Sequence, residues 1–186
     1  MIDWYEQWAL HAPDFHEGFV HVKPFGFRLQ PGPGFGDLSH PTTRLMLDML
    51  PSKISLPVVD IGCGSGVLSL AAHFAGAPEV YGIDIDESAI THANENAKLN
   101  NAPIFFGKAL PKIPKHCLVF MNMISSEQQV AWATQKALHP YVEEMIVSGI
   151  PVEERKRFLA RNTYGKLIST NEQEGWTVYR YKKGAA

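Results

Sequence analysis

Seven consecutive positions, Asp60-Ile61-Gly62-Cys63-Gly64-Ser65-Gly66, place three glycines at alternate sites just behind a carboxylate. Glycine at that spacing permits a sharp turn and lets a ligand lie against bare backbone. Where such a turn opens a helix, the helix N-terminus favours an anionic group. A second carboxylate, Asp84, follows Gly62 by 22 residues. In nucleotide-binding sheets, an acid about 20 residues past the loop accepts hydrogen bonds from ribose hydroxyls. The dinucleotide fingerprint G-x-G-x-x-G would require glycine at position 67, but Val67 stands there and the spacing is G-x-G-x-G. A loop of this kind fits S-adenosyl-L-methionine, whose carboxylate can use the helix N-terminus and which has no pyrophosphate to accommodate. Asp60, Gly62, Gly64, Gly66 and Asp84, with Ile85 beside it, are the expected cofactor-binding set.

These residues need an open sheet to hold them, and the sequence supplies its elements. Short apolar or β-branched runs predict strands at 56–61, 79–83, 104–106, 117–121 and 145–148. Between them, apolar residues at helical spacing predict helices over 65–74, 88–99, 127–138 and 152–161. Two further strands at 166–170 and 176–181, joined by a polar turn, predict a C-terminal antiparallel hairpin. Strands alternating with helices give an α/β fold: a Rossmann-like, mostly parallel seven-stranded sheet with helices on both faces. The glycine loop then falls at the end of the first strand and Asp84 at the end of the second.

Ahead of this pattern the texture changes. Gln30-Pro31-Gly32-Pro33-Gly34-Phe35-Gly36 must be loop, because proline lacks a donor and glycine is entropically costly inside elements. Ser39-His40-Pro41-Thr42-Thr43 then starts a helix with proline in its first turn. Residues 1–34 are expected to be an N-terminal extension and 35–186 the main domain. At 186 residues, with 45% hydrophobic residues, 19% charged and a net charge of −2, the chain can bury a sizeable core but has no bulk basic character. Nucleic acid is therefore unsupported as a partner. Two cysteines, Cys63 and Cys117, share no metal-ligand spacing. Neither a basic region leading into an apolar stretch nor an apolar run of about 18 residues occurs, which predicts a reduced, cytoplasmic protein without a membrane span.

Several stretches resemble the PrmA family of class I S-adenosylmethionine-dependent methyltransferases, which methylate amino groups of a large-subunit ribosomal protein. Phe35-Gly36-Asp37-Leu38-Ser39-His40-Pro41-Thr42-Thr43 is similar to the family's F-G-x-G-x-H-P-T-T loop. The glycine motif, Gly82-Ile83-Asp84-Ile85-Asp86, the asparagine-bearing segment Asn94 to Asn100, Asn122-Met123-Ile124 and Ser148-Gly149-Ile150 all match in turn, so the resemblance runs from Phe35 to Lys183. It implies that Thr43, Gly62, Asp84 and Asn122 contact the cofactor, that Phe35 and Gly36 line the site, and that the substrate is a protein, ribosomal by family. Three departures stand out. Leu38 replaces the loop's second glycine, which predicts a less flexible lid. Ser125-Ser126-Glu127-Gln128 replaces small residues and proline, and Gly107-Lys108 stands where many methyltransferases place an acid for adenine. By the resemblance the family carries an N-terminal recruitment domain, and residues 1–34 are expected to be too few to form it.

Methyl transfer to an amine needs a nucleophile aligned behind the methyl carbon, and orientation can supply about 7–11 kcal/mol of the barrier. The sequence marks no dedicated general base; Asn122, on the edge where such sheets bind ligands, is the expected catalytic residue. His11, His16 and His21 are spaced by five and His40 stands apart, so packing or exposure is expected in place of a metal. Arg155, Lys156, Arg157 and Arg161 form a basic helix run, read as a solvated face or a contact for an acidic partner. Two other functions stay open at this level. One is a methyltransferase for a small molecule or nucleic acid, although Asn122-Met123-Ile124-Ser125 lacks the Asn/Asp-Pro-Pro-aromatic motif of base-methylating enzymes. The other is a catalytically silent, cofactor-binding subunit.

Overall fold

In the computed structural model, which describes residues 2–161 and 164–184, the chain opens with helix α1 (Trp4–His11) and strands β1 (Phe15–His16), β2 (Phe19–Val22) and β3 (Phe27–Leu29). Then follow α2 (Pro41–Met49), β4 (Val58–Ile61), α3 (Val67–Phe74), β5 (Val80–Ile83), α4 (Glu87–Leu99), β6 (Phe105–Gly107) and β7 (Cys117–Asn122). The chain continues through α5 (Ser125–Thr134), β8 (Val142–Pro151), α6 (Arg155–Arg161), β9 (Lys166–Gln173) and β10 (Trp176–Lys182). β1–β3 form an antiparallel meander, and the other strands form one sheet in the order β6-β5-β4-β7-β8-β10-β9. The first five of these run parallel, while β10 is antiparallel to both β8 and β9. This is the predicted α/β sheet with its C-terminal hairpin.

Every residue of β4 and β5 is buried, as central strands covered on both faces require. Alternation along the strands divides the core. Val58, Leu118, Phe120, Ile146 and Val178 join the layer under α2, α3 and the meander. Val59, Ile61, Val119, Met121, Val147 and Tyr179 join the layer on the opposite face. Helix boundaries shift most on that second face. α5 starts at Ser125 and ends at Thr134, and among its described residues only Gln128 is buried, so its sequence carries little helical periodicity to find. α6 is shortened because Val152–Glu154 forms a 3-10 turn behind Pro151.

The first thirty-four residues do more than extend the chain. Trp8 is buried with its ring edge-on to His92 at 5.5 Å, and Val20, Val22, Phe27 and Leu29 join the same core cluster as Leu45 and Leu68. A polar column on α4 then fastens the incoming strand. Asn100 Oδ1 accepts from Arg28 N at 3.1 Å and its Nδ2 donates to Arg28 O at 2.7 Å. Asn96 Oδ1 accepts from Gln30 N at 2.9 Å, and its Nδ2 donates to Ser65 O, also at 2.9 Å. His92 Nδ1 accepts from Gly34 N at 3.1 Å, which leaves Nε2 as the donor to Gln30 O at 2.8 Å. His92, Asn96 and Asn100 are four residues apart and so share one helix face. Burial lowers the His92 pKa and keeps the ring in the neutral form that this arrangement needs.

Asn96 is fully buried, and truncating it strands a donor on Gln30 and an acceptor on Ser65. Asn96→Ala is expected to cost roughly 2–6 kcal/mol of unfolding free energy, from about 1–3 kcal/mol for each of the two orphaned groups. Urea denaturation checks this, with Asn94→Ala, on the exposed side of the same helix, expected to stay within about 0.5 kcal/mol of the parent chain.

Candidate active site

The glycine loop sits at the carboxyl end of β4, in the crevice where open α/β sheets bind ligands. Gly62, Gly64 and Gly66 have φ values of 75°, 54° and 80°, so all three occupy the left-handed region. Gly66 is also the N-cap of α3 and offers no side-chain cap, which leaves the dipole of that helix for a ligand. Over this loop lies the segment 34–40. Ser65 N donates to Phe35 O at 2.8 Å, and Ser65 Oγ reaches Gly36 O at 3.4 Å. A Cβ on Gly34 would stand 2.6 Å from the Gly64 carbonyl carbon, so the two loops meet backbone to backbone. Phe35 and Gly36 are thus joined to the glycine loop through their main chains. The Phe35 ring is 52% exposed and turns its edge to His40 at 5.5 Å.

Asp84 is anchored from both sides. Its Oδ2 accepts from Gly64 N at 3.0 Å and its Oδ1 from Asp86 N at 3.0 Å. The carboxylate therefore fixes the glycine loop to the end of β5 while retaining lone pairs for further donors. Ile85, immediately beyond, is 95% exposed. Asp84 N donates to Gly107 O at 3.2 Å, and Lys108 pairs with Glu87.

Asp60 Oδ1 and Asn122 Oδ1, at the ends of β4 and β7, are buried without a hydrogen-bond partner among the described residues, as is Gln128 Oε1 behind the turn that follows β7. The other Asp60 oxygen accepts from Ser69 Oγ at 2.7 Å. Burial raises the Asp60 pKa to about 7, against the opposing hydrogen bond from Ser69. Asn122 ends β7, and its Nδ2 lies 3.5 Å from Oγ1 of the fully buried Thr43 in the first turn of α2. Burial pushes the Cys63 thiol far above its ordinary range, which removes it as a nucleophile at neutral pH.

Arg44, Trp176 and Glu174, which the sequence reading did not single out, close this edge together with His40, which it assigned to packing or exposure. His40 caps α2, with Nδ1 2.8 Å from Thr42 Oγ1 and 3.3 Å from the Thr42 N–H that it accepts. Its ring packs against Trp176 at 4.9 Å, extending a row Phe35–His40–Trp176 along the site. Burial lowers the His40 pKa, with Arg44 adding to the effect. Arg44 donates to Leu38 O at 2.7 Å, to Ser39 O at 2.6 Å and to Glu174 Oε1 at 2.6 Å, which latches the loop to the β9–β10 turn. Arg44 and Glu174 are 130 residues apart, and no local signal links them. Leu38 itself has φ at +70°, in the left-handed region that favours glycine, with its side chain buried. The other histidines form no metal centre among the described residues; His16 and His21 stack at 3.7 Å.

A family model described as ribosomal protein L11 methyltransferase (PrmA) matches residues 12–184, beginning 23 residues ahead of Phe35. The ribosomal protein L11 methyltransferase of Dictyoglomus thermophilum is 33% identical over 194 residues, covering 94% of this chain and 64% of its own length. That of Neisseria gonorrhoeae is 46% identical over 170 residues, covering 89% of this chain and 57% of its own. The chain thus spans somewhat under two thirds of these relatives. Among solved structures, a ribosomal protein L11 methylase from Lactobacillus delbrueckii subsp. bulgaricus superposes with a TM-score of 0.65 at 25% identity, over 83% of this chain and 84% of that one. A putative RNA methyltransferase from Pyrococcus horikoshii, 18% identical, shares the fold with a TM-score of 0.62 over 99% of this chain and 98% of its own. With its glycine loop, Asp84, Thr43 and Asn122 gathered on one sheet edge, the chain belongs to the ribosomal protein L11 methyltransferase (PrmA) family.

Proposed function

We propose that this protein is an S-adenosyl-L-methionine-dependent methyltransferase that methylates amino groups of a protein, a ribosomal one by family. The observation that carries this reading is the pair of buried, unpartnered oxygens on Asp60 and Asn122 flanking the bare glycine loop. Buried polar atoms are almost always satisfied, and these two fit N–H donors from two bound molecules, the cofactor's ammonium group at Asp60 and the substrate amine at Asn122. Residues 35–186 make up the methyltransferase domain in this reading, and residues 1–34 are an extension that buttresses it. Among the described residues no helix is long and apolar enough to cross a membrane, and a ribosomal substrate assigns the work to the cytoplasm.

The cofactor supplies a methyl group already activated by a sulfonium; the chain supplies alignment. Asp60 Oδ1 would accept from the ligand's ammonium group, and Asp84 from ribose hydroxyls with the lone pairs that Gly64 and Asp86 leave free. Ile85 would border the adenine, and the α3 N-terminus would draw the carboxylate. Thr43 holds the Asn122 amide, so that Asn122 Oδ1 would accept one N–H of the incoming amine and orient it. The row Phe35–His40–Trp176 walls the approach, and desolvation there lowers the pKa of an amine toward its neutral, nucleophilic form.

Isothermal calorimetry with S-adenosyl-L-methionine tests the cofactor assignment. The parent chain is expected to bind, and Asp84→Ala to weaken binding roughly 10- to 100-fold, the range of about 1.5–3 kcal/mol for hydrogen bonds to a charged group. A parent chain that does not bind would overturn the reading. The pH dependence follows from Asp60. Its folded pKa is raised above the unfolded value, so the stability of the ligand-free chain falls as pH rises through about 7. The cationic ligand prefers the ionised carboxylate, so its affinity moves oppositely, declining by up to about tenfold per pH unit below that point. Asp60→Asn is expected to flatten both slopes, measured by calorimetry and thermal melting from pH 5.5 to 8.5.

A further inference from the structure

α5 is docked in an unusual way. Amphipathic helices normally hold their place with a buried apolar stripe, yet the one fully buried residue among those described in α5 is Gln128; Ala131 and Trp132 pack half-buried against the core, and Val130 is 67% exposed. Gln128 Nε2 donates to Met123 O and to Ser148 O, both at 2.8 Å. With two carbonyl oxygens facing it, that end of the amide must be the nitrogen. Met123 N in turn donates to Ser148 O at 3.3 Å. One side chain therefore joins the turn just past β7 to the neighbouring strand β8, where Asn122 and Ser148 are paired.

The turn held in this way borders the cofactor site on both sides. Asn122 immediately precedes it. The Met123 side chain lies against the glycine loop, since its Cε occupies the space a Cβ on Gly62 would take. Gly149, with φ at +92°, lets β8 pass flush against the Met123 backbone, where any side chain would overlap it. The turn is thus pressed by β8 and gripped by an amide that must make both of its donations. Losing that amide leaves Met123 O unpaired and Ser148 O with only the 3.3 Å bond from Met123 N, and the backbone between Asn122 and Ile124 is what can shift to re-satisfy them.

We propose that Gln128 is a positioning residue: by clamping Met123 O to Ser148 O it sets where Asn122 and Met123 meet the glycine loop, and so sets cofactor affinity. It acts through the turn and touches no ligand itself, being fully buried. The inference rests on the cofactor reading above. It also gives a role to Ser125-Ser126-Glu127-Gln128, the stretch where this chain departs from the small residues and proline of its family.

The test compares the parent chain, Gln128→Leu, Gln128→Glu and the surface control Val130→Ala, using S-adenosyl-L-methionine as the probe in calorimetry and amide hydrogen exchange at Met123. Gln128→Leu is expected to weaken binding about tenfold and to lower protection at Met123 by a similar factor, with Val130→Ala unchanged in both. Gln128→Glu carries a distinct signature. Ionised, it sets a carboxylate against two carbonyls; protonated, it can donate to one of them. Its affinity relative to the parent is expected to recover as pH falls from 8 to 5.5, an effect loss of packing alone would not produce. Parent-like binding and Met123 protection in Gln128→Leu would overturn the inference. If that variant does not fold, a flat affinity ratio for Gln128→Glu would overturn it equally. If the parent chain itself fails to bind, the cofactor reading falls, while the exchange measurement still decides whether Gln128 holds the turn.

Discussion

A loop of three glycines is a poor structural element by itself, because it has no side chains to hold it and the most conformational freedom to lose. The site depends on the solution to that problem, which is to bond the loop's backbone to fixed groups on every side. Asp84 grips Gly64 N, Phe35 O takes Ser65 N, and the Asn96 amide holds Ser65 O. Asn96 also takes Gln30 N, so the loop, α4 and the segment leading to the lid are fixed together. With these contacts the bare backbone a ligand needs becomes a rigid surface.

The same economy governs charge. Asp60 sits at the end of a strand buried on both faces, with one oxygen bonded to Ser69 and the other open. A carboxylate in such a place costs folding free energy unless a cation joins it. The burden is tolerable because the sheet around it is supplied by two apolar layers, one under α2 and α3 and one on the opposite face. The residues of the proposed site are thereby distributed over strand ends whose relative placement is fixed by the hydrogen-bonded ladder, while loops and helix starts bring Thr43, His40 and Phe35 over them.

Much of this was legible in the sequence because the relevant signals are local. The glycine motif, the acid 22 residues on, and the mostly apolar runs of β4, β5 and β7 each announce themselves within a few residues. The meander β1–β3 does not, since its strands are two to four residues long, and Asn100, which fastens β3 from the end of α4, stands 72 positions from Arg28. Helix α5 was misplaced by two residues at its start because its anchor is a polar side chain, which periodicity arguments count as surface. The latch from Arg44 to Glu174 and the row from Phe35 to Trp176 are products of the sheet bringing distant segments to one edge, and only the folded chain displays them.

Leu38 carries a consequence for binding thermodynamics. A non-glycine residue in the left-handed region costs about 1–2 kcal/mol, and here the burial of a leucine side chain, about 1.5–3 kcal/mol, offsets it, helped by the bond from Arg44 to its carbonyl. Glycine at this position would leave the loop free to sample many shapes, and each arriving ligand would have to select one of them. Leucine restricts the chain beforehand. A ligand that settles against Phe35 and Gly36 meets a wall already standing, and the entropy of ordering that wall is spent once, as the chain folds, and not again at every encounter.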